Sequence, residues 1–187
     1  MYYSNIKDVV SPIFANHTFQ NRNVGEFNIK GVQSGINYRG INKKWLASVN
    51  YAYTDPEATE IDSAGNNTGR IVNVSDISVH KINAIVNYAF LKKCNVNIRA
   101  NYLSKKMTGR NTSVPTNNND VYEPFVIFNS AVTVQNLATG LHVQLVCNNL
   151  LNTPYYTPGV RAAGGIRFPG YVLQMKRSFY IKATFEL

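Results

Sequence analysis

The sequence predicts an all-β protein, an antiparallel transmembrane β-barrel segment of about eight strands. Three observations carry this. The last stretch, 176–187, alternates: Phe179, Ile181, Ala183, Phe185 and Leu187 fall between Ser178, Tyr180, Lys182, Thr184 and Glu186. A strand sends successive side chains to opposite faces, so one face is apolar and the other polar. Connections between such stretches alternate short and long, which places all long loops at one end, as in outer-membrane barrels. Finally, no run approaches the ~18 apolar residues of a membrane-spanning helix.

Counting period-2 alternation places strands near 2–11, 25–39, 43–56, 77–91, 94–107, 122–136, 140–151 and 175–187. In the third, Trp45, Ala47, Val49, Tyr51 and Tyr53 oppose Ser48, Asn50 and Thr54. The fourth sets Ile82, Ala84, Val86, Tyr88 and Phe90 against Asn83, Asn87 and Ala89. In the fifth, Val96, Ile98, Ala100 and Tyr102 oppose Asn95, Asn97, Arg99 and Asn101. Val126, Phe128, Val132 and Val134, then Leu141, Val143, Leu145 and Cys147, continue the pattern. Tight turns are expected at 39–42, 91–93 and 136–139, and long loops at 12–24, 57–76, 108–121 and 152–174. Aromatic residues near strand ends fit interfacial belts. An unpaired backbone group in lipid costs several kcal/mol, so the strands must close on themselves or form one arc of a larger ring.

Composition agrees. Of 187 residues, 44% are hydrophobic and 12% aromatic, with 12 Tyr and 9 Phe, which favours strands. A mean hydropathy of -0.20 is compatible with a membrane barrel, whose strands expose only alternate residues to lipid. The formal charge is +9, yet Arg39, Lys43, Lys44, Lys92, Lys93, Lys105, Lys106 and Arg110 sit at strand ends and in loops. They share no helix or stripe, so no nucleic-acid partner is expected. Cys94, read as lying in a turn, and Cys147, read as mid-strand, lack metal-ligand spacing and are expected as unpaired thiols with another strand between theirs. Met1 opens directly into a strand without an export signal, so the chain is expected to be the tail of a longer protein.

Four segments resemble one family. Asn148-Asn149-Leu150-Leu151-Asn152-Thr153-Pro154-Tyr155-Tyr156, followed by Pro158-Gly159-Val160-Arg161, resembles the "N-N-L-F-(N/D)-x-x-Y" stretch before the last strand of TonB-dependent outer-membrane receptors. Lys176 to Lys182 resembles their terminal strand, although Lys176 replaces the usual Gly and Leu187 the usual final Phe. Val79-His80-Lys81-Ile82-Asn83 and Asn5 to Val10 resemble two earlier strand starts. The resemblance implies a barrel of about 22 strands with a plug in its lumen. Residues 1–187 would be its C-terminal part, without plug, signal peptide or TonB box. It implies the bacterial outer membrane and energised uptake of a scarce ligand: a ferric siderophore, haem, cobalamin or glycan. It also implies a TonB complex acting through the missing N-terminal part. No catalysis and no cofactor are expected. A complete eight-stranded barrel, serving as adhesin or anchor, and a soluble lipocalin-like barrel are the alternatives.

Two sets of residues are candidate sites. Phe179, Tyr180, Ile181, Phe185 and Leu187 resemble the signal read by the barrel-assembly machinery; plain lipid-facing packing asks for the same residues. Lys105, Lys106, Arg110, Arg161, Arg167, Lys176 and Arg177 fall at the long-loop end, where a positive rim would meet an anionic ligand or lipopolysaccharide phosphates. Screened surface charge is the plainer reading of that rim. Asp55, Glu57, Glu60 and Asp62 lack the calcium-loop pattern and read as a mobile acidic loop. His80 and His142 carry no ligand motif, and Arg99 on a polar face is placed to touch a plug. Residues 152–174 read as an extracellular lid, rich in Gly and Pro.

Overall fold

The computed structural model describes residues 1–15, 18–62, 66–74, 77–107, 121–158 and 171–186. These contain thirteen strands: β1 (Tyr2–Ala15), β2 (Thr18–Arg39), β3 (Trp45–Ile61), β4 (Asn67–Asn73), β5 (His80–Leu91), β6 (Cys94–Leu103), β7 (Lys106–Met107), β8 (Val121–Tyr122), β9 (Phe125–Ala138), β10 (Leu141–Asn148), β11 (Tyr156–Pro158), β12 (Tyr171–Leu173) and β13 (Ser178–Phe185). Eight of them form one sheet in the order β1-β2-β3-β5-β6-β9-β10-β13, with β4 paired to β3. Every pairing is antiparallel.

The sheet is a single open layer. β1 and β13 stand at its two edges, so these eight strands do not close on each other as a complete small barrel would. Nor do the described residues enclose an apolar interior. Among the described residues only Tyr122, Ile127, Val146 and Cys147 form a buried apolar set, and no side chain is below 2% exposure. A lipocalin-like barrel turns its apolar face inward; here Ile36, Val49, Ile98 and Ile181 on that face are exposed.

The short turns lie at one end, as expected from loop length. Residues 40–44 join β2 to β3, with Gly40 N donating to Trp45 O (2.9 Å) and Lys43 at φ 58°. Lys92 and Lys93 join β5 to β6, and Thr139 and Gly140 join β9 to β10. Gly140 takes φ 73°, a left-handed conformation that side chains resist, and its carbonyl accepts from Glu186 N (2.8 Å) beside the last strand.

At the opposite end three expected loops contain strand. Residues 12–15 and 18–24 extend the β1–β2 ladder, leaving 16–17 between the strands. Alternation is weak there because the ladder runs past the height of a bilayer, where both faces are wet and no face must be apolar. Register shifts between Ile6 and Val10, with Asp8 at φ 56°, blur it further. Pro12 is tolerated because β1 is an edge strand. Residues 57–61 pair with β4 in the same way, and 152–174 contain the β11–β12 pair. Of 108–121, all but Val121 lie outside the described residues.

Candidate functional site

Strand register turns the alternating sequence into rows. Trp45, Tyr88, Val96, Val132, Leu145 and Ile181 are successive partners across six strands. Tyr38, Ala47, Val86, Ile98, Ser130, Cys147 and Phe179 make the next row on the same face. Above them come Ile36, Val49, Ala84, Ala100 and Phe128, then Ser34, Tyr51, Ile82, Tyr102 and Val126. Such a face is apolar across its whole width, far beyond the scattered exposed residues of a soluble surface.

Aromatic side chains bound this band at both ends. Near the short turns Trp45 stacks on Tyr88 with ring centroids 4.0 Å apart, and Phe90 follows at 6.5 Å from Tyr88. Toward the long loops Tyr51 hydrogen-bonds His80 Nδ1 at 2.9 Å, and Tyr53 lies 5.4 Å from the same imidazole. His80 thus belongs to an aromatic belt. Trp45 and Tyr53 are eight residues apart on β3, which at a barrel tilt separates the belts by ~20 Å, close to the apolar height of an outer membrane. Beyond the upper belt the same face becomes charged: Lys30 meets Glu57 at 3.3 Å.

The opposite face is built of amides. Asn37, Ser48, Ile85, Arg99 and Asn129 form one row. Gly35, Asn50, Asn83, Asn101 and Ile127 form another, and Arg39, Leu46, Asn87, Asn97, Ala131, Val146 and Tyr180 a third. Asn97 Nδ2 donates to Asn87 Oδ1 (2.6 Å), and Arg99 Nε donates to Asn97 Oδ1 (3.1 Å). Two shallow hollows open on this face. One, of about 390 Å³, lies over Asn37, Arg39, Leu46, Ser48, Ile85 and Asn87. The other, of about 430 Å³, lies over Gln33, Gly35, Asn50 and Asn83. Most of the lining of both hollows lies on the amide side, with Tyr38, Ala47, Ser34 and Tyr51 of the other face completing it, as in a barrel whose concave face holds water.

At the long-loop end Asn149 ties the wall to the last strand. The residue is 3% exposed. Oδ1 accepts from Thr153 N (2.9 Å), and Nδ2 donates to Thr153 O (2.8 Å) and to Met175 O (3.4 Å). Its own N–H donates to Asn129 Oδ1 (2.9 Å) on β9. Asn152 Oδ1 accepts from Arg177 N (3.0 Å), just before β13. Asn149 and Asn152 adopt φ of 49° and 56°. Asparagine tolerates that region and hydrogen-bonds its local backbone.

The remaining candidates are placed as follows. Phe179, Ile181 and Phe185 lie on the apolar face of β13 and Tyr180 on the amide face; all four are at least half exposed. Leu187 lies outside the described residues, as do Arg110, Arg161 and Arg167. Lys105 and Lys106 follow β6, and Lys176 and Arg177 precede β13, three inter-strand steps or ~14 Å away. The two groups share an end but adjoin separate strands. Lys106 Nζ lies 5.2 Å from the Tyr122 ring, and Arg177 lies 6.0 Å from Phe179 and donates to Leu150 O (3.4 Å). The acidic stretch is ordered as ladder: Glu60 lies 3.9 Å from Arg70, and Asp62 accepts from Asn66 N (2.8 Å). His142 faces the amide side, its Nε2 3.5 Å from Glu186. Cys94 on β6 and Cys147 on β10 are free thiols with β9 between them.

A two-faced sheet with an apolar band, two belts and a wet concave side defines a transmembrane barrel wall. The family model described as "TonB dependent receptor-like, beta-barrel" matches residues 1–150, and the chain belongs to this family of outer-membrane proteins. The family is one of transport receptors rather than enzymes. No curated protein sequence matches the chain significantly. Its fold is similar to that of the ferric-catecholate import receptor Fiu of E. coli K12 (closed form), with 15% identity, TM-score 0.67, and coverage of 98% of this chain and 24% of that one. The FrpB iron transporter of Neisseria meningitidis (F5-1 variant, apoprotein) gives 18% identity, TM-score 0.69, and coverage of 98% and 27%. A Q482A mutant of the ferric enterobactin receptor PfeA of Pseudomonas aeruginosa, in complex with enterobactin, gives 16%, 0.66, and coverage of 98% and 28%. The chain thus spans about a quarter of the length of these receptors.

Proposed function

We propose that residues 1–187 form the later part of the barrel wall of a receptor that imports a scarce extracellular ligand of the ferric-chelate class, using energy delivered by a TonB complex. The amide-lined concave face in a chain of this family carries the reading. Its rows of Asn and Arg99 offer a plug or passing ligand many neutral donors and acceptors. Haem, cobalamin and glycans remain within the same proposal; iron is favoured by the names of the three receptors above. The open edges support a larger ring. β1 and β13 are the edges of the sheet, and in lipid an unpaired edge leaves costly backbone groups. Phe179, Tyr180, Ile181, Phe185 and Leu187 serve the assembly machinery on this reading, and the basic residues of the long-loop end meet lipopolysaccharide or an anionic ligand. Deleting the gene is expected to abolish growth on one ferric chelate as sole iron source, and deleting the TonB partner should give the same defect. Unchanged uptake of every ferric chelate tested, in both deletions, would refute the iron assignment.

A further inference from the structure

We propose that the short-turn end of this wall carries a binding collar for anionic phospholipid headgroups, formed by Lys43, Lys44, Lys92 and Lys93. The inference rests on the barrel orientation argued above and adds a ligand at the end opposite the long loops.

Four lysines occupy two neighbouring turns. Lys43 and Lys44 close the β2–β3 connection, and Lys92 and Lys93 make the β5–β6 connection. The turns are adjacent because β3 pairs with β5, and Lys44 O accepts from Ala89 N at 2.9 Å. Lys93 O accepts from Gln135 N (2.7 Å), which fixes the second turn against β9. All four side chains are exposed. Among the described residues no carboxylate pairs with any of them. Lys93 Nζ donates to Asn136 O (3.1 Å) and keeps its charge free for a phosphate.

The position relative to lipid makes this more than a screened surface cluster. Lys44 directly precedes Trp45, whose stack with Tyr88 is the lower aromatic belt. Belts of Trp and Tyr lie at headgroup level, so the ammonium groups just beyond them reach the phosphates. An ammonium is a compact charge suited to phosphate oxygens. The distribution of acids completes the argument. Asp8, Glu26, Asp55, Glu57, Glu60, Asp62 and Glu123 all fall at the long-loop end. Among the described residues the short-turn end holds one carboxylate, Glu186, two strands beyond β9 and facing His142. Basic residues beside an anionic leaflet each strengthen attraction appreciably, within a Debye length.

The test uses the whole protein with Trp45 as its only tryptophan, reconstituted in vesicles of phosphatidylcholine and phosphatidylglycerol. Either lipid is brominated in its acyl chains, and quenching of Trp45 reports which one sits beside the collar. Brominated phosphatidylglycerol is expected to occupy the site about fivefold more strongly than phosphatidylcholine. Lys43→Gln, Lys44→Gln, Lys92→Gln and Lys93→Gln together should bring the ratio to near one, as should high salt with the unaltered protein. The salt arm stands if the fourfold variant fails to fold. Lys30→Gln with Arg70→Gln, at the other end, should leave the ratio unchanged. Equal quenching by both lipids in the unaltered protein would overturn the collar and leave the barrel orientation intact. No quenching by either would overturn the orientation as well.

Discussion

Asn149→Ala is expected to loosen the join between β10 and β13. The side chain makes two hydrogen bonds to Thr153, at 2.9 and 2.8 Å, and a longer one to Met175 O. Truncation leaves the Thr153 N–H and C=O without these partners. Thr153 is only half-buried, so water recovers part of each loss, and ~1 kcal/mol per group applies. Alanine must also hold φ 49°, which costs a further ~1 kcal/mol. The total is ~3 kcal/mol for alanine and ~2 kcal/mol for glycine, which escapes the backbone penalty. Opening should be local, because Thr153 and Met175 lie outside the strands and are tied through the Asn149 side chain. Hydrogen exchange at the Thr153 amide therefore gives the direct assay. The alanine variant should exchange ~100-fold faster than the unaltered protein, with the glycine variant between them. Exchange within threefold of the unaltered protein, or a glycine variant faster than alanine, would refute the reasoning.

Three further outcomes are expected. Gly140→Val puts a Cβ against Glu186 O and forces a β-branched residue into φ 73°, so the folded band in unheated gel electrophoresis should fall sharply; an unchanged band contradicts the turn geometry. Val49→Lys should destabilise the protein in bilayers by ~2–4 kcal/mol while Asn50→Lys costs much less, since only the first meets acyl chains; equal costs in denaturant titration would contradict the face assignment. Tyr88→Ala removes the ring stacked on Trp45, costing ~1 kcal/mol beyond the lost area and shifting the Trp45 emission maximum; an unshifted spectrum would contradict the stack.

The membrane-spanning half of the sheet was legible because lipid on one side and water on the other impose alternation, as Val96 to Tyr102 display. Strand order followed from the tight turns. Above the upper belt that constraint disappears, so 12–24 and 57–76 read as loops although backbone pairing continues in 12–15, 18–24, 57–61 and 67–73. Apolar residues on the amide face were also missed. Ile127 and Val146 are buried there, and their neighbours on the strand match neither period clearly. The Asn149 knot left a trace, two left-handed asparagines three residues apart before Thr153-Pro154, but its long-range partners at Asn129, Met175 and Arg177 come from the fold. The rim is the least legible part, since the long-loop end gathers charges by topology while Lys105 and Lys176 adjoin different strands, β6 and β13.

The direction in which the apolar band faces is tested most directly by spin labels in the reconstituted protein, read for collision with oxygen and with a water-soluble nickel chelate. Labels at Val49, Ile98 and Ile181 are expected to meet oxygen in the bilayer and exclude nickel, while those at Asn50 and Asn97 meet nickel or are shielded from both. Nickel access at Val49 and Ile98, with lipid contact at Asn50 and Asn97, would contradict the account.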